Sequence, residues 1–239
     1  MESVPLTFPA RINRYLAHKG FSTRRGADEL ITQGFVKING KIAKLGDKVT
    51  ETDVVEVSEN VLAKNALRHR YVAYHKPRGV STDVQHDSKS ISSELPALRG
   101  LFPLGRLDKD SHGLIILTND GRLTERLLHP SRNHEKEYHV RVNKPVTDTF
   151  IRHLERGILI ETYKTKPAKA RRSGETLFNI TLTEGKKHQI RRMCTAEGYN
   201  VEELTRIRIM NVKLDDLKEG AYRNIEGEEL LTFLKTIGL

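Results

Sequence analysis

The chain has 239 residues, enough for one large domain or for a medium domain with a small appendage, and enough to bury a real core. Its 41 Lys and Arg against 31 Asp and Glu leave a formal charge of +10, which favours a polyanionic partner, nucleic acid first among them. The single cysteine, Cys194, excludes an internal disulfide framework and a cysteine-based zinc site, and fits a buried, inert thiol in a reducing compartment.

At the N-terminus MESVPLTFPARINR lacks the apolar stretch of a signal peptide, and nowhere does an apolar run reach 18 residues. A cytoplasmic protein without a membrane partner is expected. RINRYLAHK places Ile12, Tyr15 and Leu16 at helical spacing, and TRRGADELITQG repeats it with Ala27, Leu30 and Ile31 before a C-capping Gly34. FVKINGKIAKLGDKV alternates around Asn39-Gly40, the signature of a tight hairpin, and DVVEV closes the unit as a strand. Two short helices and a small sheet in about fifty residues bury little and are marginal alone.

SENVLAKNALRH, at 58–69, has no clean period and suits a linker. Beyond it YVAYHKPRGVST reads as a strand running into a Lys-Pro-Arg-Gly turn. Strands and helices then alternate: LIILT, the helix GRLTERLLHP, KEYHVRV, the helix VTDTFIRHLERG, TLFNITLT, the helix HQIRRMCTAEGY, IRIMNVKL and the helix EGEELLTFLKTIG. The pattern predicts an α+β domain built on a sheet.

Arg11, Arg14, Lys19, Arg24 and Arg25 gather at the start of the first helix and the entry to the second, where free N–H groups and positive charge suit phosphate; a plain solvated face is the bland reading. Asp108, in GRLDKDSHGL, stands between two apolar runs with no obvious catalytic partner, and a turn former is its bland reading.

RINRYLAHKGFSTRRGADELITQGFVKINGKIAKLGDKV resembles an S4 RNA-binding domain, which implies recognition of structured RNA through shape and backbone. GRLDKDSHGLIILTNDG, EKEYHV and TLTEGKKHQIRRM resemble, in order, the three catalytic blocks of S4-domain-containing ribosomal RNA pseudouridine synthases, the RsuA family. TRIRIMNVKL brings the resemblance closest to the large-subunit rRNA synthase F type. The resemblance implies an S4 (α-L) domain at 8–58, a linker at 59–69 and a synthase domain at 70–239 on a mixed, largely antiparallel β-sheet with helices. It also implies isomerisation of a uridine in 23S rRNA, or of a tRNA anticodon-stem uridine, by a monomer.

That chemistry breaks the N1–C1′ bond, turns the uracil and joins C5 to C1′ without redox change, so no metal or cofactor is expected. A carboxylate can attack C1′ or C6, or assist a glycal route, and the sequence leaves all three open. By motif position Asp108 is the catalytic residue and Asp110 a loop residue. An aspartate ionised in a dry pocket needs an opposite charge, which the resemblance assigns to Arg191; Arg192 lies about 100° further round the helix and faces RNA or solvent. Tyr138 corresponds to the tyrosine that stacks on the base and aids proton transfer. Arg106 corresponds to the arginine that fills the space of a flipped base. Lys187 adds to the RNA-contacting set. His112 and His188 lack metal-ligand spacing and read as structural or RNA-facing, and Lys76, Pro77 and Gly79 as a backbone-shaping turn. A non-catalytic ribosome-assembly protein would not need Asp108, Tyr138 and Arg191 together. A uracil-excising glycosylase would need an activated water and would leave the S4-like unit unexplained.

Overall fold

The computed structural model describes residues 6–58, 69–82, 89–128 and 132–239, so the linker expected at 59–69 lies, apart from His69, outside the described residues. In the N-terminal unit β1 (Ala10–Arg11) leads into α1 (Ile12–His18), which buries Ile12, Leu16 and Ala17. The second helix, α2 (Arg24–Thr32), buries Ala27, Leu30 and Ile31, and Thr23 caps it by accepting from the Gly26 N–H at 3.0 Å. Asn39 and Gly40, at φ 50° and 77°, make the tight turn between β2 (Val36–Ile38) and β3 (Lys41–Ile42). Two strands complete the unit: β4 (Lys48–Val49) pairs with β1, and β5 (Val55–Val57) with β2. Its core, centred on Leu16, Ala27 and Val36, draws only on residues of this unit.

The second unit is a sheet with helices against it. Its elements in order are β6 (Tyr71–Lys76), the short α3 (Ile91–Glu94), β7 (Phe102–Leu104), β8 (His112–Thr118), α4 (Arg122–Leu128), β9 (Lys136–Val142) and α5 (Asp148–Arg156). There follow β10 (Leu159–Ile160), β11 (Tyr163–Lys164), β12 (Lys169–Arg172), β13 (Leu177–Leu182), α6 (Gln189–Ala196), β14 (Val201–Ile209), β15 (Val212–Lys213), β16 (Tyr222–Asn224) and α7 (Gly227–Thr236). The strand order is β12-β13-β9-β14-β8-β6-β16, with β7 on β8 and β15 on β14. Among the described residues the strands of this sheet pair antiparallel except β14 with β8, which is parallel at Thr205↔His112 and Arg206↔Gly113.

The run LIILT is apolar throughout because both faces of β8 are covered. Leu114 and Ile116 join a core with Leu123 and Phe233, while Ile115 and Leu117 join Val72, Val80 and Leu98 on the other face. A third core packs α5 and α6 on β9 and β13 through Phe150, Phe178 and Met193. Cys194 is fully buried there, where burial pushes its thiol up to about 12. No helix of the described residues is long and apolar enough to cross a membrane.

One expected strand is displaced. IRIMNVKL does not run straight through 207–214: Met210 adopts φ 54°, the chain reverses into β15, and β14 instead extends back to Val201. The polar start of β14, Val201-Glu202-Glu203, concealed the longer strand.

Candidate active site

Asp108 sits in the loop between β7 and β8, beside the parallel pair of β8 with β14. Five consecutive carbonyls of this loop are held: Arg106 O by Arg206 Nη1 at 3.1 Å, Leu107 O by the Thr82 hydroxyl at 2.6 Å, Asp108 O by the Ser111 N–H at 3.0 Å, Lys109 O by the Gly79 N–H at 2.8 Å and Asp110 O by Arg191 Nη2 at 3.1 Å. Thr82 also accepts from the Leu107 N–H at 3.2 Å. A loop with five successive carbonyls paired has few alternative conformations, so it presents its carboxylate in a fixed place.

The Lys-Pro-Arg-Gly turn is one of those anchors. Gly79 reaches Lys109 with φ 82°, a conformation that costs glycine little. Lys76, fully buried, donates to Pro77 O at 2.9 Å and Val80 O at 2.7 Å and so braces the turn from inside. Gly113 is a second fixed point. At φ 109° it packs so tightly on β14 that an added Cβ would lie 2.4 Å from the Arg206 carbonyl oxygen.

A cleft of about 530 Å³ opens above this loop, within the range that encloses a small ligand. Asp108, Arg106, Tyr138, Lys136, Arg206 and the loop 183–188 line it. Lys136 and Tyr138 stand two residues apart on β9, hence on one face, and Tyr138 pairs in register with Arg206. Burial, reinforced by the charge of Arg206, pushes both Lys76 and Lys136 down to about 8, and Asp108 and Asp110 partly offset this at Lys76.

The opposite wall is the loop before α6. Buried Glu184 accepts from the Gln189 side-chain amide at 2.6 Å, from the Lys166 N–H at 3.0 Å and from the Tyr163 hydroxyl, while Gln189 accepts from the Lys186 N–H at 2.9 Å. This network sets His188 at the helix start in a left-handed conformation, φ 53°. Its Nε2 stands 3.6 Å from Oδ1 of Asp108.

The site residues read from the sequence divide into two groups. Asp108, Tyr138, Arg106 and Lys187 all line the cleft, the last two exposed at its rim. Arg191 and Arg192 do not line it. The expected ion pair of Arg191 with Asp108 is replaced by carbonyl bonds: Arg191 donates to Val201 O and Asp110 O, each at 3.1 Å. Arg191 lies in the first turn of α6, and a helical side chain leans towards the N-terminus of its helix, here onto the Asp108 loop. Arg192 pairs with Glu161 at 2.9 Å, on the turn between β10 and β11. His188, read as structural or RNA-facing, is the side chain beside the carboxylate. Arg11, Arg24 and Arg25 are exposed on the N-terminal unit and Arg14 is half-buried there.

Sequence reasoning missed Arg206 and Lys136. The signal for Lys136 was its place two residues before Tyr138 in KEY, a spacing that puts both on one strand face. For Arg206 there was no local signal, because its burial depends on the parallel contact of β14 with β8.

Comparison with known proteins matches residues 70–196 to the RNA pseudouridylate synthase family and residues 10–55 to the S4 domain. The dual-specificity RNA pseudouridine synthase RluF of Salmonella typhi is 43% identical over 95% of this chain and 79% of its own length. The ribosomal large subunit pseudouridine synthase B of Bacillus subtilis is 36% identical over 92% of this chain and 93% of its own. A crystal structure of a pseudouridylate synthase superimposes with a TM-score of 0.69 at 31% identity, covering 95% of this chain and 99% of that one.

Proposed function

The chain belongs to the RNA pseudouridylate synthase family, with an S4 domain ahead of its synthase domain, and from that premise we propose that it isomerises one specific uridine of 23S ribosomal RNA to pseudouridine. The observation that carries this reading is the presentation of Asp108, on a loop held at every carbonyl from 106 to 110, in one cleft with Tyr138. The division of labour follows the chain: an RNA-docking S4 domain at 8–58, a linker at 59–69 and the catalytic domain at 70–239. The enzyme works in the cytoplasm as a monomer, a setting that suits its lone reduced cysteine.

Catalysis begins with extrusion of the target uridine, at a cost of about a few kcal/mol, with Arg106 at the cleft rim filling the vacated space. The base stacks on Tyr138. Asp108 then attacks C1′ or C6, or assists loss of the base; N1–C1′ breaks, the uracil turns, C5–C1′ forms, and the C5 proton leaves as N1 gains one. His188 stands beside the attacking carboxylate, its Nε2 3.6 Å from Oδ1 of Asp108. Arg191 keeps the loop in place through Asp110 O. Arg11, Arg14, Arg24, Arg25, Lys187 and Arg192 contact the RNA backbone.

A second substrate, a tRNA anticodon-stem uridine, is favoured by one specific observation: relatives 42–43% identical over 95% of this chain bear the name dual-specificity synthase. Mapping pseudouridines in rRNA and tRNA from cells with and without the gene tests both readings. Loss of one 23S rRNA site supports the first, loss of a tRNA site as well supports the second, and an unchanged map contradicts both.

A further inference from the structure

Two polar side chains of the cleft have hydrogen-bonding capacity that finds no partner among the described residues. Arg206 is 2% exposed; its Nε donates to Leu114 O at 2.6 Å and its Nη1 to Arg106 O at 3.1 Å, while Nη2 is buried with no partner. Among the described residues no carboxylate pairs with it. Ser111, fully buried in the Asp108 turn, likewise has a hydroxyl with no partner among the described residues. Both residues line the cleft. Buried polar atoms are nearly always satisfied, and two exceptions in one cleft call for a ligand that supplies what is missing.

We propose that Arg206 and Ser111 form the floor that reads the target base, Nη2 of Arg206 donating to a carbonyl oxygen of the flipped uracil and the Ser111 hydroxyl meeting its imide edge. The proposal deepens the reading given above and rests on it. Three arguments assign the base, rather than phosphate or ribose, to this floor. Arg206 faces Tyr138 across the strand pair, so a ring stacked on Tyr138 lies within reach of the guanidinium. A phosphodiester must continue into the flanking chain and stays at the mouth, where Arg106 and Lys187 are exposed. The chemistry also fits: uracil offers two carbonyl acceptors and one N–H donor, against a guanidinium that only donates and a hydroxyl that does both. Cytosine would turn an amino group towards one of these positions and set donor against donor, so the same floor selects uracil.

The test is a chemical double-mutant cycle. A stem-loop RNA carries uridine, 2-thiouridine or 4-thiouridine at the target position, sulfur being the weaker acceptor, with tritium at C5. Release of that tritium is followed for the wild type, Arg206→Met, Arg206→Lys and Ser111→Ala, after thermal melts on each. We expect Arg206→Met to lower kcat at least a hundredfold, with KM within several-fold. One of the two sulfur substitutions should slow the wild type roughly tenfold and leave Arg206→Met unaffected. Equal sulfur effects in wild type and variant, or wild-type kcat in Arg206→Met, would overturn the assignment. Should Arg206→Met fail to fold, Arg206→Lys, which keeps the charge but not the fork of donors, carries the same comparison. A wild type that releases no tritium from any RNA offered overturns the reading of the reaction and this assignment with it; a wild type that turns over with unaltered sulfur effects overturns this assignment alone.

Discussion

Arg191 holds the carbonyl oxygen of Asp110, 3.1 Å from its Nη2, and through it the turn that carries Asp108. The arginine therefore acts on the carboxylate through the backbone rather than as its ion-pair partner. Charge-assisted bonds of this kind contribute about 1.5–3 kcal/mol each, and a loop displaced by an ångström costs catalysis roughly a hundredfold. Arg191→Ala should thus lower kcat by one to two orders of magnitude with little change in KM. Arg192→Ala, which removes only the contact to Glu161, should act on RNA affinity. Steady-state kinetics on one stem-loop separates the two; equal kcat losses would contradict the positioning role.

Gly113 makes a stability prediction. An alanine there must hold φ 109° with its Cβ 2.4 Å from a backbone oxygen that cannot swing aside. Gly113→Ala should cost about 3 kcal/mol or more, seen as a lower urea midpoint. Because the atom it strikes belongs to Arg206, turnover of the surviving folded fraction should fall too. An unchanged midpoint would mean that β8 and β14 pack more loosely than the structure has them.

His112 predicts a pH dependence. Its ring stacks on that of His75, with centroids 5.9 Å apart, and Nε2 meets the Thr205 hydroxyl at 2.9 Å and Glu203 at 3.3 Å. Burial holds its pKa below the ordinary 6.5, against the opposing pull of Glu203 and Glu219 and with the support of His75. A base whose folded pKa is depressed takes up its proton more readily when unfolded. Its contribution to stability is therefore complete above about pH 6.5 and is lost as pH falls through the folded pKa. Urea unfolding between pH 7.5 and 5 should show this decline in the wild type and a shallower one in His112→Gln. Parallel curves would remove His112 as the cause.

Local signals carried the fold where local chemistry decides it. Asn39-Gly40 fixed a hairpin, KEYHVRV became a strand of those same seven residues, and helical spacing found α1, α2, α5 and α7. The short pieces β7, β10, β11, β12 and β16 escaped, because two to four residues cannot display a period. In the site, motif order placed Asp108 and Tyr138 in one cleft, but the partner of each arginine was set by contacts distant in sequence. Arg191 reaches back 81 residues to Asp110, and Arg206 reaches 92 to Leu114. No window of sequence holds such pairs.

The N-terminal unit should contribute affinity rather than chemistry. Its core uses only its own residues, so deleting residues 1–60 should leave a folded catalytic domain that binds RNA weakly. Each exposed arginine that meets a phosphate adds about 0.7–0.9 to the slope of log K against log salt. Arg24→Ala should reduce the slope by about that amount. Unchanged affinity and slope in the deletion would show that the S4 domain docks another partner.

The central claim is that Asp108 performs the isomerisation, and tritium release from C5 of a target uridine, measured side by side for wild type, Asp108→Asn and Asp110→Asn, tests it most directly. Asp108→Asn keeps the size and the loop while removing the carboxylate charge, so it should release no tritium above background and bind the RNA within several-fold of wild type. Asp110→Asn should retain most of the activity. Substantial turnover by Asp108→Asn would contradict the account.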